Sequence, residues 1–229
     1  MSKNNSVNDE IKQQHKYVKE EMDFWGKIKY FFYYYKIHTV VTLFVMVAII
    51  YVVHFYVTKK DPVLQVAIVN GYPQIELSEM IDEFTATIPF DPEKQEVTID
   101  DTYYIHTEMA NAMDDQNAER LYIFAYSQEL DVCLVDESYF PVIADAGYVE
   151  DLSTLFTEEQ LEKYADKFVY WDSPNDMVDG EELIAIDISD APKIVSTECY
   201  PDKKAYFTII LKSEYKDNAL AFLEYLYTP

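Results

Sequence analysis

The longest apolar run lies at residues 39–57, which pass without a formal charge from Thr39 to Val57. As a helix rising about 1.5 Å per residue, such a stretch reaches roughly 28 Å, the thickness of a bilayer core. The pattern predicts a transmembrane helix. Residues 24–36 before it interleave aromatic rings with lysines, and Tyr56, Lys59 and Lys60 mark its far end. Amphipathic rings and long-stemmed lysines suit the headgroup region. Trp25, Lys27, Lys29, Tyr33, Tyr34, Tyr35 and Lys36 are therefore expected at one membrane interface, and Tyr56, Lys59 and Lys60 at the other. Residues 1–23 are polar, with charges of both signs and few large apolar side chains, which predicts a flexible or helical tail.

Beyond residue 60 the pattern breaks into short segments. Residues 63–69 are almost continuously apolar and end at Asn70-Gly71, as a strand buried on both faces does before a turn. Residues 74–87 space Ile75, Leu77, Met80, Ile81 and Phe84 as a helix, which Pro89 stops. Residues 96–105 alternate around Val97, Ile99 and Tyr103 as a second strand. Residues 113–129 carry a helical pattern through Leu121, Phe124 and Ala125, and a third buried strand at 130–135 ends at Asp136-Glu137. Strand, helix, strand, helix, strand predicts an α/β domain with a mixed, partly parallel sheet. Further helices are expected at 138–146 and at 157–168, the latter opened by a Thr157…Gln160 capping box. Strand-like runs follow at 183–188 and 205–211, and a helix at 218–227 presents Leu220, Phe222, Leu223 and Leu226 to the sheet. The chain thus divides into a tail and juxtamembrane segment (1–38), a span (39–57) and one α/β domain (61–229).

Charge separates the two ends of the molecule. Residues 1–60 hold nine lysines and five acids, net +4, whereas residues 61–229 hold nine bases and 37 acids, net −28. A domain this acidic repels phosphate backbones, which excludes nucleic acid as its partner. Lys19, Lys27, Lys29 and Lys36 precede the span and only Lys59 and Lys60 follow closely, so the N-terminus is expected in the cytoplasm and the domain outside the cell. The span leads into bulky His54, Phe55, Tyr56 and Val57 with no small-residue cleavage site, which predicts that the helix stays attached. The cysteines, Cys133 and Cys199, lie far from the span, so no lipid anchor is expected.

Several chemistries lack parts. Gly26, Gly71, Gly147 and Gly180 are isolated and form no phosphate-cradling loop. His106 is the sole histidine after residue 60, too few for a typical zinc site or for more than one base. No serine lies in a Gly-x-Ser-x-Gly elbow. Acidic pairs such as Asp100-Asp101, Asp114-Asp115 and Glu181-Glu182 are expected by chance among 37 acids and are read as solvated surface. Residues 175–180 faintly resemble a calcium loop, but Met177 and Ile186 stand where oxygen ligands are required. No cofactor and no metal is expected. Cys133 reads as a small buried hydrophobe and Cys199 sits near a turn; an extracellular location leaves a disulfide between them open.

Five stretches carry a resemblance. Leu64-Gln65-Val66-Ala67-Ile68-Val69, Glu129-Leu130-Asp131-Val132-Cys133-Leu134-Val135-Asp136, Ala146-Gly147-Tyr148-Val149-Glu150-Asp151-Leu152, and the pair Phe207-Thr208-Ile209-Ile210-Leu211-Lys212-Ser213 with Ala219-Leu220-Ala221-Phe222-Leu223-Glu224-Tyr225 together resemble extracellular solute-binding proteins of the type 2 periplasmic-binding class. Tyr33-Tyr34-Tyr35-Lys36-Ile37-His38, and then Lys59-Lys60-Asp61-Pro62, look like a group of single-span proteins from Firmicutes. The resemblance implies one periplasmic-binding-protein-like lobe, shortened and anchored to the membrane. The expected function is a non-enzymatic, membrane-anchored extracellular binding or accessory module, associated with a transporter or other membrane complex and contacting a membrane protein partner. An alternative is capture of a small-molecule solute at the carboxyl edge of the sheet, with Asn70, Gly71, Asp136 and Glu137 as contacts. A third reading is a glycan hydrolase built on an acidic pair.

Overall fold

In a computed structural model the chain is described over residues 3–20, 23–106, 112–172 and 180–229. It divides into two compact units, Met1–Lys59 and Lys60–Pro229.

The first unit is helical. α1 spans Lys3–Glu20 and α2 spans Phe24–Tyr34. Asp23 caps α2, its carboxylate accepting the Gly26 N–H at 2.9 Å, which satisfies one of the amides a helix start leaves unpaired. α3 runs over Lys36–Thr58, three residues earlier and one later than the uncharged run. Its mean hydropathy is 2.5 and none of its side chains is buried by the protein. Each exposed Val, Ile, Leu or Phe forgoes about 1.5–3 kcal/mol of burial in water, so the helix requires an apolar surrounding. Among the described residues it is the one helix long and apolar enough to cross a bilayer. Trp25, Lys27, Lys29 and Tyr33 lie exposed on α2, Tyr35 and Lys36 at its junction with α3, and Tyr56 and Lys59 near the end of α3, where Lys60 follows partly covered. The side chain of Tyr34 lies outside the described residues.

The second unit is an α/β domain. Its elements are β1 (Asp61–Val69), α4 (Leu77–Thr85), β2 (Gln95–Tyr103), α5 (Ala112–Tyr126), β3 (Val132–Asp136), α6 (Phe140–Asp145), α7 (Glu158–Lys163), β4 (Phe168–Trp171), β5 (Glu182–Asp187), α8 (Pro192–Ser196), β6 (Ala205–Ile209) and α9 (Lys216–Leu226). The strands form one six-stranded sheet in the order β2-β1-β3-β6-β5-β4. β1 pairs parallel with β2 and β3, while β3–β6, β6–β5 and β5–β4 pair antiparallel. The sheet is mixed and partly parallel.

Helices cover both faces, which explains why the central strands read as continuous apolar runs. Leu64, Val66 and Ile68 of β1, with Val132 and Leu134 of β3, pack with Met80 and Phe84 of α4 and with Phe222, Leu223 and Leu226 of α9. Ala67 and Val69, with Cys133 and Val135, turn to the opposite face and meet Leu121 and Ala125 of α5 and Phe140 and Ile143 of α6. The period-2 alternation of a strand thus divides the core into two layers.

One predicted helix is shorter than its pattern. The capping box at Thr157 and Gln160 is present, but α7 ends at Lys163, a 3-10 turn follows at Ala165–Lys167, and Phe168 opens β4. The apolar positions Leu161, Tyr164, Ala165 and Phe168 fit a helix face, yet Phe168 to Trp171 pair with β5. Aromatic and β-branched residues favour that half-buried pleat. The segment 175–180, compared above with a calcium loop, lies outside the described residues up to 179. Cys133 and Cys199 are both free and buried. Burial raises both thiols, Cys199 to about 12.

Candidate functional site

β1, β2, β3 and β5 all end on one edge of the sheet. α4 leaves β1 over one face and α5 returns to β3 over the other, so the chain switches direction beside β1. In open α/β sheets the crevice at such a switch point is where ligands bind. Asn70 and Asp136 stand there, one after β1 and one at the end of β3.

Asn70 adopts φ +56, a left-handed conformation that its short amide tolerates better than most side chains. Its Oδ1 accepts the Ile105 N–H at 2.7 Å, and its Nδ2 donates to the Ile105 carbonyl at 3.0 Å and to Asp136 Oδ1 at 3.1 Å. The amide therefore ties the end of β2 to the end of β3. Asp136, 1% exposed, also accepts the Tyr139 N–H at 3.2 Å, and Ser138 Oγ lies 2.9 and 2.8 Å from its two oxygens. Lys203 Nζ completes the set at 3.0 Å from Oδ2. A buried carboxylate needs such company, because removing its charge from water costs several kcal/mol (about that order).

Residues 197–204, between α8 and β6, close over this edge. Tyr72 N–H donates to the Cys199 carbonyl and Gln74 N–H to the Thr197 carbonyl, each at 2.7 Å. The Tyr200 hydroxyl donates to the Val69 carbonyl at 3.1 Å, across a separation of 131 residues. Gly71 lies beneath this segment: a Cβ there would stand 2.5 Å from Ile68 Cγ2, 2.8 Å from the Tyr200 ring and 2.9 Å from Cys199 Sγ. Glu198 and Asp202 in the same segment hold φ +49 and +59. Burial holds the Tyr200 phenol well above its ordinary value. The polar groups of Asn70, Asp136 and Tyr200 at this edge are thus paired within the protein.

Of the four residues predicted as contacts, Asn70, Gly71 and Asp136 come together but are buried, and the side chains of Asn70 and Asp136 are bonded within the protein. Glu137 is exposed. It lines an open depression of about 610 Å³ with Ile194, Glu198, Tyr200 and Lys204. Tyr200 and Lys203 escaped the sequence reading, although Lys203-Lys204 is the one adjacent pair of bases in so acidic a domain. His106 Nδ1 lies 3.1 Å from Asp114 Oδ1, a pairing that orients an imidazole but supplies no nucleophile. Among the described residues no group of three or more His, Cys, Asp or Glu side chains is placed to hold a metal ion.

Comparisons of the chain with protein-family models, with curated proteins and with solved structures find no match.

Proposed function

We propose that this protein is a non-enzymatic, single-span membrane protein that holds an acidic α/β domain outside the cell as a binding or accessory module of a membrane complex. α3 is the anchor, the preceding helices lie in the cytoplasm, and partners meet the outer surface of the domain. The observation that supports the reading is the pairing of the strand-end polar groups with one another, Asn70 with Asp136 and Tyr200 with the Val69 carbonyl, and not with an open cleft. The net charge of the domain favours basic partner surfaces.

We also read the domain as one periplasmic-binding-like lobe. What supports this is β1 at the parallel centre of the sheet, the acidic end of β3 beside it, and the return of the chain through β6 and α9. Asn218 of α9 donates to the Val63 carbonyl of β1 at 2.9 Å, closing that return on the first strand.

A second reading, capture of a small solute, draws on the depression beside Glu137 and Lys204. Thermal unfolding of the protein against sugars, amino acids, short peptides and Ca²⁺ separates the two. The accessory reading predicts an unchanged midpoint. A solute at a hundred times its Kd would stabilise the fold by about 2.7 kcal/mol, roughly 5–10 °C for a domain of this size, and a saturable rise of that kind would favour solute capture.

A further inference from the structure

The last turns of α5 read Leu121-Tyr122-Ile123-Phe124-Ala125-Tyr126, an unbroken apolar run. Such a run points in every direction around a helix, so a sheet that covers one side leaves the other side apolar and bare. Leu121 and Ala125 are buried in the core, whereas Tyr126 is 77% exposed and Tyr122 and Ile123 are 52% exposed each. The rings of Tyr122 and Tyr126 stack with centroids 6.0 Å apart, and Tyr122 meets Tyr148 edge-on at 6.1 Å. The Tyr148 carbonyl accepts the N–H of Leu211, itself exposed, so the ridge continues off the helix onto the segment after β6. Contiguous apolar surface rimmed by polar groups marks a protein interface, and tyrosine is enriched at such interfaces.

Charge selects what covers the ridge. Asp115, Glu119, Tyr122 and Tyr126 are spaced four, three and four residues apart, so they share one stripe of the helix, about 16 Å long. Asp115 and Glu119 are exposed, and their carboxylates make no ion pair among the described residues. Glu129, also exposed, follows the helix. Arg120, the one base on α5, is turned away: its guanidinium pairs with Asp100 and lies 4.6 Å from the centre of the Tyr103 ring. Lys212 follows Leu211, one base against three acids. A second copy would set these acids against themselves, and an anionic bilayer would repel them. A partner that carries Lys or Arg meets neither obstacle.

We infer that the exposed stripe of α5 docks a basic amphipathic helix of a partner protein. Apolar side chains of the partner pack on Tyr122, Ile123 and Tyr126, and a Lys or Arg one to two turns away pairs with Glu119 and Asp115. A stripe at helical spacing forms a ridge that a facing helix accepts in its groove. The aromatic area supplies affinity, and the carboxylates, gathered at one end of the stripe, set the partner's direction and register. The inference rests on the reading of the domain as a partner-binding module, and it names the face used and the chemistry of the partner.

The test places the photo-cross-linker p-benzoylphenylalanine, which keeps an aromatic ring there, at Tyr126 of the full chain in the cells that produce it, and sequences the linked peptides by mass spectrometry. The same cross-linker at Tyr72 and at Tyr170, exposed elsewhere on the domain, reports partners at other faces. The expected result is a Tyr126 adduct with another protein, through a segment that carries Lys or Arg within two turns of an apolar cluster. Tyr122→Ser and Glu119→Lys should each lower its yield about tenfold. Glu162→Lys, the same change of charge at an exposed position of α7, should leave the yield unchanged, and circular dichroism checks that each variant stays folded. An adduct with a phospholipid, with a second copy or with an acidic segment would overturn the proposal, as would a yield that Glu162→Lys lowers as much as Glu119→Lys does. No adduct at Tyr126 while Tyr72 or Tyr170 gives one would also overturn it and leave the module reading standing. No adduct at any of the three would count against that reading as well.

Discussion

Asn70 and Asp136 are separated by 66 residues, yet they close the ends of β1 and β3 with one hydrogen bond, Nδ2 to Oδ1 at 3.1 Å. The parallel register that places Val69 beside Val135 brings them together. Asp136 also holds Lys203 and the backbone of Tyr139, so it fastens residues 197–204 onto the sheet.

Asp136→Ala should therefore act on stability. It strands Lys203 and the Asn70 amide beside a buried gap, a loss of about 3 kcal/mol, or roughly 6–12 °C in the unfolding midpoint. Glu137→Ala, one residue on but exposed, should stay within about 0.5 kcal/mol of the parent. Calorimetry of both variants checks the contrast. Equal midpoints for the two would show that Asp136 does not hold the edge together.

Gly71 makes a steric prediction. Its φ is not positive, so alanine suits the backbone, but its Cβ would overlap Ile68, Tyr200 and Cys199. Gly71→Ala should cost about 1–3 kcal/mol through overpacking, read as a lower urea midpoint with an unchanged slope. A variant as stable as the parent would mean that residues 197–204 lift away from the crevice at little cost.

Alkaline pH tests the packing of the tyrosines. Burial raises the phenol of Tyr103 to about 12, and those of Tyr148, Tyr164, Tyr200, Tyr225 and Tyr227 further. Unfolded phenols lose their protons near pH 10 (about the peptide value). Between that pH and the folded values the native state binds more protons than the unfolded one, so stability falls as pH rises from about 10 towards 12. A jump to about pH 11 should release phenolate absorbance in two phases, the slower one following the loss of far-ultraviolet circular dichroism. Complete ionisation with the circular dichroism intact would contradict the buried placement.

The central sheet was legible because its strands are covered on both faces: residues 63–69 and 130–135 have almost no polar positions, and turn residues mark their ends. α4, α5 and α9 followed from their helical spacing. β4 was not legible, since Phe168 continues the face of Leu161 and Tyr164, and only pairing with β5 decides its conformation. Residues 197–204 carry no periodic pattern, and their role comes from contacts such as Tyr200 with Val69, more than a hundred residues away in the chain. Asn70 and Asp136 could be named as strand ends from local signals; that they bond to each other depends on register, which local signals do not encode.

The most direct measurement of the central claim uses intact cells producing the full chain with an epitope at each end. Carbonate should leave the protein in the membrane fraction, and protease added outside should remove the C-terminal epitope while sparing the N-terminal one. A chain released by carbonate, or a C-terminal epitope protected until the membrane is opened, would contradict an anchored domain displayed outside the cell.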